Sequence, residues 1–258
     1  MINPHIFFVL IISLITTFTL SEKVEAQNQD DTTSSSQTSS ITTDKLLTQV
    51  CDFLKSKSSF TVTMDITYDN VLESGSKVQY SGYQKVEVQK PNFLHTDYVG
   101  DQGNKHFYYD GKNFTLFSPD LKVFATKKAP ATLDELVNNI EEKHGFTIPM
   151  SNLLVNNPCN VLESATEDPL YIGSDLVNRV ENDHILIVTE DWDGQLWISQ
   201  TEPPLISKIL LTYKKLPNSP QYTVLFSDWN FESSIPKETF IFKPMKDDVQ
   251  IQMLPPFP

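Results

Sequence analysis

The sequence predicts an α+β protein built on one antiparallel sheet. Apolar and polar residues alternate strictly from Phe60 to Tyr68, which is the period of a half-buried strand. Similar stretches follow at hairpin-length spacing, both before and after a helical region in the middle of the chain. Strands joined by hairpins pair antiparallel, and the chain lacks the regular alternation of strands and helices that builds parallel sheets.

A helix precedes the first strand. Its apolar residues recur at helical spacing, and Thr43 or Asp44 can cap its start. These apolar residues are Leu46, Leu47, Val50, Cys51 and Leu54. Further strands are predicted at residues 78–88 and 93–99, with three more between 107 and 128. Asp110-Gly111 predicts a two-residue hairpin turn in which both residues have positive φ.

The central helical region begins at a capping box, Thr132-Leu-Asp-Glu135. Leu133, Leu136, Val137 and Ile140 line one side of this helix, and Gly145 can end it. One or two short helices are expected within residues 149–162. Strands then resume, and the predicted segments are 170–176, 184–189, 195–200, 206–213, 222–229 and a short one at 239–242.

The amino terminus indicates export. The apolar run Ile6–Leu20 is shorter than the roughly 20 residues that span a membrane. Val24-Glu25-Ala26 supplies a small-x-small cleavage pattern, so residues 1–26 are predicted to be a cleaved signal peptide. An uncleaved anchor is the alternative, because no Lys or Arg precedes the apolar run. Residues 27–43 predict a disordered Ser/Thr-rich tether, which leaves a single domain over 44–258 in a periplasmic or secreted protein.

Charge narrows the classes of partner. The chain carries a net charge of −13, or −12 without residues 1–26, and an acidic surface repels phosphate backbones. Nucleic acid is therefore excluded as a partner. No later stretch is apolar enough to span a bilayer, so no anchor is expected after cleavage, and the protein is expected to be a monomer. Cys51 and Cys159 can form one disulfide in an oxidising compartment, or both can be small buried hydrophobes.

The sequence shows no motif for catalysis, so no enzyme activity, cofactor or metal is predicted. It has no nucleophile elbow and no Gly-rich phosphate loop. The acidic tract Glu190–Gly194 fits a hairpin turn better than a calcium loop. Four histidines lack metal-ligand spacing and are interpreted as solvated or core residues: His95, His106, His144 and His184. The three tryptophans are interpreted as core residues rather than as sugar-stacking platforms.

Several short motifs resemble a known superfamily. Tyr109-Asp-Gly-Lys112, with the apolar positions that follow it, looks like the YDGK-x-L-x-L-Y-x-P strand pair of the periplasmic lipoprotein carriers. Leu196-Trp197-Ile198, followed by Pro203-Pro204 and Lys208, resembles the LWID…LPLK hairpin of that superfamily. The FSDWN tract at 226–230 and the Lys55–Phe60 junction resemble a family of uncharacterised predicted periplasmic proteins related to those carriers. The resemblance covers most of residues 43–254.

This resemblance implies an unclosed antiparallel β half-barrel of about 11–12 strands, with helices covering its concave face. The better-known carriers hold lipids or lipoprotein acyl chains in that concavity. The two cysteines are not part of any pattern associated with the family.

If the helices do not fill the concave face, a pocket for an acyl chain remains there. The candidate lining residues are Phe60, Val62, Met64, Ile66, Val78, Tyr80, Phe114, Leu116, Leu196 and Ile198. The alternative is that these residues pack against the helices as ordinary core. The predicted function is a non-enzymatic periplasmic carrier that holds a lipid or an acylated protein ligand. A second hypothesis is an envelope sensor or scaffold that binds another envelope protein through the same half-barrel.

Overall fold

The computed structural model describes residues 33–158 and 168–254, with side chains described from Thr43 onward. The first half of the fold comprises α1 (Thr33–Ser56), β1 (Ser59–Val71), β2 (Lys77–Gln89), β3 (Phe93–Gly100), β4 (Lys105–Tyr109), β5 (Asn113–Ser118) and β6 (Val123–Lys128). A helical region follows, with α2 (Leu133–His144) and the 3-10 turn η1 (Ser151–Leu153). The second half comprises β7 (Leu170–Val177), β8 (Val180–Val188), β9 (Trp192–Ser199), β10 (Ile206–Tyr213), β11 (Gln221–Asn230), the 3-10 turn η2 (Lys237–Phe240) and β12 (Val249–Gln250).

The twelve strands form one unclosed sheet in the order β12-β6-β5-β4-β3-β2-β1-β11-β10-β9-β8-β7. All neighbouring strands pair antiparallel except β12, which runs parallel to β6. The first strand of the chain lies at the centre, between β2 and β11, and therefore joins the two halves. The predicted α+β fold class, with an open antiparallel sheet and helices on one face, is confirmed.

The core lies between the helices and one face of the sheet. We call this face of the sheet the concave face. Cross-strand register places Val62 opposite Val86, and Met64 opposite Phe226, on that face. The helices contribute a buried apolar stripe that consists of Leu47, Val50, Leu54, Leu133, Leu136 and Ile140. Burial of these stripes is the main stabilising contribution, because apolar surface removed from water contributes roughly 25 cal/mol per Å².

The predicted boundaries of α2 are confirmed by its caps. The Thr132 side chain accepts a hydrogen bond from Glu135 N at 3.3 Å, and the Glu135 carboxylate accepts one from Ala131 N at 3.2 Å. Gly145 ends the helix in the left-handed conformation with φ of 67°, and its N–H donates to Glu141 O. These contacts pair backbone groups that a helix terminus otherwise leaves unsatisfied.

The predicted hairpin turn at Asp110-Gly111 is wrong by one residue. Asp110 N donates to Asn113 O at 3.2 Å, so the two central residues of the turn are Gly111 and Lys112. Only Gly111 has positive φ, at 84°. The reason is local side-chain bonding, since Asp110 Oδ1 accepts hydrogen bonds from both Lys112 N and Asn113 N.

The carboxyl-terminal segment also differs from its prediction. Residues 239–242 do not form a strand, because Lys237–Phe240 is the 3-10 turn η2 and Phe240 is fully buried against the Phe93 ring at 5.3 Å. The short strand β12 was not predicted. Prolines at 236 and 244 flank this segment and limit its participation in a backbone ladder.

The amino-terminal helix starts earlier than its prediction. It begins at Thr33 rather than near Thr43, so part of the predicted tether has helical backbone. The stretch contains no Gly or Pro, and a helix stabilised by packing near its end can extend through such residues. Residues 1–32, which include the predicted signal peptide, lie outside the described residues.

The FSDWN tract, residues 226–230, contains a β-bulge that sets the position of Trp229. The register between β1 and β11 shifts between Thr61 and Thr63, and Asp228 in the facing strand has φ of 52°. The extra residue turns Trp229 onto the concave face, where its ring packs against Phe60 at 5.7 Å and Phe226 at 5.8 Å. The tract therefore builds core structure, as the interpretation of the tryptophans predicts for this residue.

Cys51 lies on α1 and is disulfide-bonded. The chain has one other cysteine, Cys159, which lies outside the described residues, so the Cys51–Cys159 pairing stays a prediction. Within residues 33–158 and 168–254, no helix has the length and apolar character needed to cross a membrane.

Candidate functional site

The structure places all ten predicted lining residues on the concave face, but most of them are closed core. Seven are buried and contact the helices or each other: Phe60, Val62, Met64, Ile66, Phe114, Leu196 and Ile198. Val78 is 36% exposed, while Tyr80 and Leu116 are half-buried. Phe60, Val62 and Ile198 have no surface that a water molecule can reach, so no ligand-sized space adjoins them in this conformation.

The concave face changes character away from the helices, where it carries tyrosines instead of aliphatic residues. We call this region the tyrosine end, and it comprises Tyr68, Tyr80, Tyr98, Tyr213, Tyr222, Trp192 and Leu211. Register brings these residues together, since Tyr68 faces Tyr80 on one side and Tyr222 on the other. The Tyr68 ring lies 5.8 Å from that of Tyr80 and 6.2 Å from that of Tyr222. All seven side chains are half-buried, so this part of the concave face is partly exposed to solvent.

Glycines shape the tyrosine end. An ideal Cβ on either Gly82 or Gly100 would lie 2.4 Å from the Tyr98 hydroxyl oxygen, so the Tyr98 ring rests on bare backbone. In the same way, a Cβ on Gly194 would lie 2.8 Å from the Trp192 ring. These glycines allow two aromatic rings to lie flat along the sheet and present their faces to the concave side.

The phenol groups of Tyr68, Tyr213 and Tyr222 remain neutral at physiological pH. Burial raises the pKa of Tyr68, Tyr213 and Tyr222 above the ordinary value of 10.0. Tyr68 donates a hydrogen bond to Gln102 Oε1 at 2.9 Å. The end therefore offers apolar ring surface together with neutral hydroxyl groups, a combination typical of sites that bind amphipathic molecules.

Gln84 lies where the aliphatic core meets the tyrosine end. It is 0% exposed and faces Met64 on β1 and Tyr98 on β3. Neither its amide nitrogen nor its amide oxygen has a hydrogen-bond partner among the described residues, and the same holds for the Tyr222 hydroxyl. A buried polar group without a partner costs roughly 1–3 kcal/mol, so these groups are suited to meeting a polar ligand atom.

The outer face of the sheet carries a small cavity of about 200 Å³. It lies under the carboxyl-terminal segment, and its lining includes Tyr108, Thr115, Phe124, Phe240 and Phe242. Ligand pockets typically occupy about 300–1,000 Å³, so this cavity is too small for an acyl chain.

The outer face also brings together three side chains that can ligate a metal. His95, Asp97 and His106 each offer one ligand atom, and these atoms all lie within 4.8 Å of one another. Burial lowers the pKa of His95, but the carboxylates of Asp97 and Glu87 more than offset this and hold it above its usual value. His95 is buried, as its interpretation as a core residue predicts, but it also pairs with two carboxylates and adjoins a second histidine.

The family model "Predicted periplasmic protein (DUF2092)" matches residues 43–254. The chain belongs to this family. The periplasmic localisation predicted from the amino terminus agrees with the family's description. A search of the curated proteins gave no match.

Solved structures with a similar fold come from several bacteria. An uncharacterised conserved protein from Thermus thermophilus has a TM-score of 0.47 at 6% identity, covering 82% of this chain and 99% of that one. A LolA superfamily protein from Nitrosomonas europaea has a TM-score of 0.38 at 10% identity, with coverages of 77% and 97%. The Mycobacterium tuberculosis lipoprotein LppX has a TM-score of 0.42 at 13% identity, with coverages of 74% and 97%.

Two features of this DUF2092 protein were missed by sequence reasoning. Tyr80 was assigned to the lining, but Tyr68, Tyr98 and Tyr222 were not, although Tyr68 continues the alternation of β1. The signal for the histidine group was the His95-x-Asp97 spacing, because residues two apart in a strand share a face.

Proposed function

We propose that this protein is a non-enzymatic periplasmic carrier that binds a lipid or acylated ligand at the tyrosine end of the concave face. Gln84 is the observation that carries the proposal, because it is a fully buried amide with no partner among the described residues, at the inner limit of a half-exposed aromatic surface. Because Gln84 is 0% exposed, a ligand reaches this amide only when the side chains that cover it move apart. The polar group of the ligand then pairs with the amide while its chain covers the tyrosine rings.

The energetics allow such binding without a metal or a catalytic group. Each methylene that leaves water contributes about 0.8 kcal/mol, so a sheltered fourteen-carbon chain contributes roughly 10 kcal/mol before association costs. The rings of the tyrosine end shelter part of such a chain. Full shelter requires the helices to move away from the aliphatic part of the concave face, where Phe60 and Val62 are now fully buried.

The test begins with protein expressed with its own export signal in a bacterial host and purified without detergent. Mass spectrometry of an organic extract should show a lipid in near-equimolar amount, and intact-mass measurement should show a chain that begins at Gln27. A lipid-free protein that co-purifies with an equimolar envelope protein would instead favour the scaffold hypothesis and would contradict the carrier.

A matched pair of variants locates the site. Leu211→Glu places a charge among the tyrosine rings at a half-buried position, which should weaken binding of a fluorescent fatty acid at least tenfold while the fold persists. Leu216→Glu, at a position 48% exposed in the β10–β11 turn, is the control and should bind as the wild type does. Equal affinities for the two variants would refute the proposed location.

A further inference from the structure

The outer face carries a group of side chains that is unrelated to the concave site. Antiparallel pairing of β3 with β4 sets Asp97 opposite His106, and pairing of β2 with β3 sets Glu87 opposite His95. His95 and Asp97 are two residues apart on one strand and therefore project from the same face. The sheet thus brings two imidazoles and two carboxylates together from three adjacent strands.

One nitrogen of each imidazole lies close to the same Asp97 oxygen. His95 Nε2 is 3.1 Å from Asp97 Oδ1, and His106 Nδ1 is 2.8 Å from the same oxygen. Both His95 Nε2 and Asp97 Oδ1 are nevertheless buried atoms that lack a correctly aligned hydrogen-bond partner among the described residues. Because His95 is only 8% exposed, water at the protein surface does not readily satisfy its Nε2 atom.

The second nitrogen of His95 has a well-formed partner. His95 Nδ1 lies 2.9 Å from Glu87 Oε2, and Lys85 Nζ holds the other Glu87 oxygen at 3.1 Å. A proton on Nδ1 that is donated to Glu87 leaves the lone pair of Nε2 directed toward Asp97 and His106. A carboxylate that orients a histidine from behind in this way is the usual outer-shell arrangement at protein metal sites.

From this arrangement we infer that His95, Asp97 and His106 form a binding site for a divalent first-row transition-metal ion, with Zn²⁺ as the ion to test. Zinc binds histidine nitrogen and carboxylate oxygen at about 2.0–2.2 Å, so tetrahedral ligand atoms lie about 3.3–3.5 Å apart. The observed separations of 2.8 and 3.1 Å need only a small expansion to reach this spacing. Two imidazoles and one carboxylate suit zinc, cobalt and nickel better than calcium or magnesium.

The group of ligands can be reached from solvent. The side chains of Asp97 and His106 are 35% and 27% exposed, so the ion has a route in and can keep a water ligand. The net charge of −13 further favours cations near this surface. The rings of Tyr108 and Phe117 lie 4.5 Å from His95 and 5.9 Å from His106, and they restrict the rotation of both imidazoles.

Titration of the untagged protein with Zn²⁺ by calorimetry tests the inference, together with the visible absorption of the Co²⁺ form. We expect one ion per chain and a cobalt spectrum of low coordination number. His95→Gln and His106→Gln should each lower zinc affinity at least tenfold. Glu87→Gln should lower it about 10–100-fold while one ion still binds per chain.

His184 provides the matched control. It also lies against a carboxylate, with Nδ1 2.8 Å from Asp175 Oδ2, and its ring stacks on Trp197. Its Nε2 is already hydrogen-bonded to Gln195 at 3.0 Å, and no second histidine adjoins it in the described part of the chain. His184→Gln should therefore leave zinc affinity unchanged.

Thermal unfolding with and without Zn²⁺ distinguishes loss of metal binding in a variant from loss of its folded state. Zn²⁺ at a hundredfold excess over the wild-type Kd should raise the Tm of the wild type and of His184→Gln by several degrees, and that of His106→Gln by no more than about half as much. The partly exposed His106 position keeps that variant folded without metal. Absence of zinc binding by the wild type would overturn the inference. So would a zinc affinity of His95→Gln and His106→Gln equal to that of the wild type.

Discussion

Replacement of Gln84 by methionine separates a structural role of this residue from a role in ligand binding. Methionine matches glutamine in length and volume but has no amide. The change therefore removes two polar atoms that are fully buried and have no partner among the described residues. Such atoms cost roughly 1–3 kcal/mol in desolvation. The free energy of unfolding of the ligand-free protein should therefore rise by about that amount, and the Tm by about 2–4 °C for each kcal/mol.

The same change should weaken ligand binding. If the Gln84 amide forms one hydrogen bond to a polar group of the ligand, worth about 1 kcal/mol, the affinity for a fluorescent fatty acid should fall about fivefold. Gain of stability and loss of affinity in one variant is the combination that an ordinary core residue does not give.

Gln79→Met is the control, because Gln79 lies on the same strand but is exposed on the outer face. Its unfolding free energy should stay within about 0.5 kcal/mol of the wild type. A loss of stability above about 1 kcal/mol in Gln84→Met would show that the amide is satisfied in the folded protein and would refute the reasoning. Increased stability with unchanged affinity would remove Gln84 from the binding site.

Three further outcomes are expected. Burial, with the nearby charges of Glu135 and Asp110, raises the pKa of Tyr109 to about 12 from an ordinary 10.0, so the folded state holds this proton more tightly than the unfolded state. Stability from this group should therefore be lost as the pH rises from 10 to 12 in chemical-denaturation measurements, and Tyr109→Phe should remove that part of the pH dependence. Leu116→Trp should leave the Tm nearly unchanged while weakening fatty-acid binding if space adjoins this half-buried residue; overpacking of a closed core would lower stability by about 1–3 kcal/mol. Thiol titration of the unreduced, denatured protein should find no free thiol if Cys51 and Cys159 are paired, and reduction should cost up to roughly 4.7 kcal/mol in the chain-entropy model.

Local patterns were enough to predict most elements of the fold. The alternation in β1 and the Thr132 capping box each depend on neighbours within a few residues, and both are confirmed. The failures involve side-chain contacts that hydrophobic periodicity does not describe, one within a turn and one between distant segments. The Asp110 side chain moved the turn by one residue, and residues 239–242 packed on the outer face instead of joining the sheet as a strand.

The two candidate sites depend on the register between neighbouring strands of the sheet. Tyr68 meets Tyr222 only because β1 pairs with β11, a strand far along the chain. His106 reaches Asp97 only because the β3–β4 hairpin closes at the observed register. Sequence spacing indicates which residues share a face of one strand, but it does not identify the side chains that stand opposite on the next strand.

One register nevertheless positions both sites. On β3, Asp97 projects to the outer face and joins the histidines, while the next residue, Tyr98, projects to the concave face beside Gln84. On β2, Gln84 is followed by Lys85 and Glu87, which project outward. A slip of one residue between these strands would move each of these side chains to the opposite face and destroy both arrangements. The paired backbones of β2, β3 and β4 therefore serve two surfaces at once, although the proposed ligand and the inferred metal ion lie on opposite sides of the sheet.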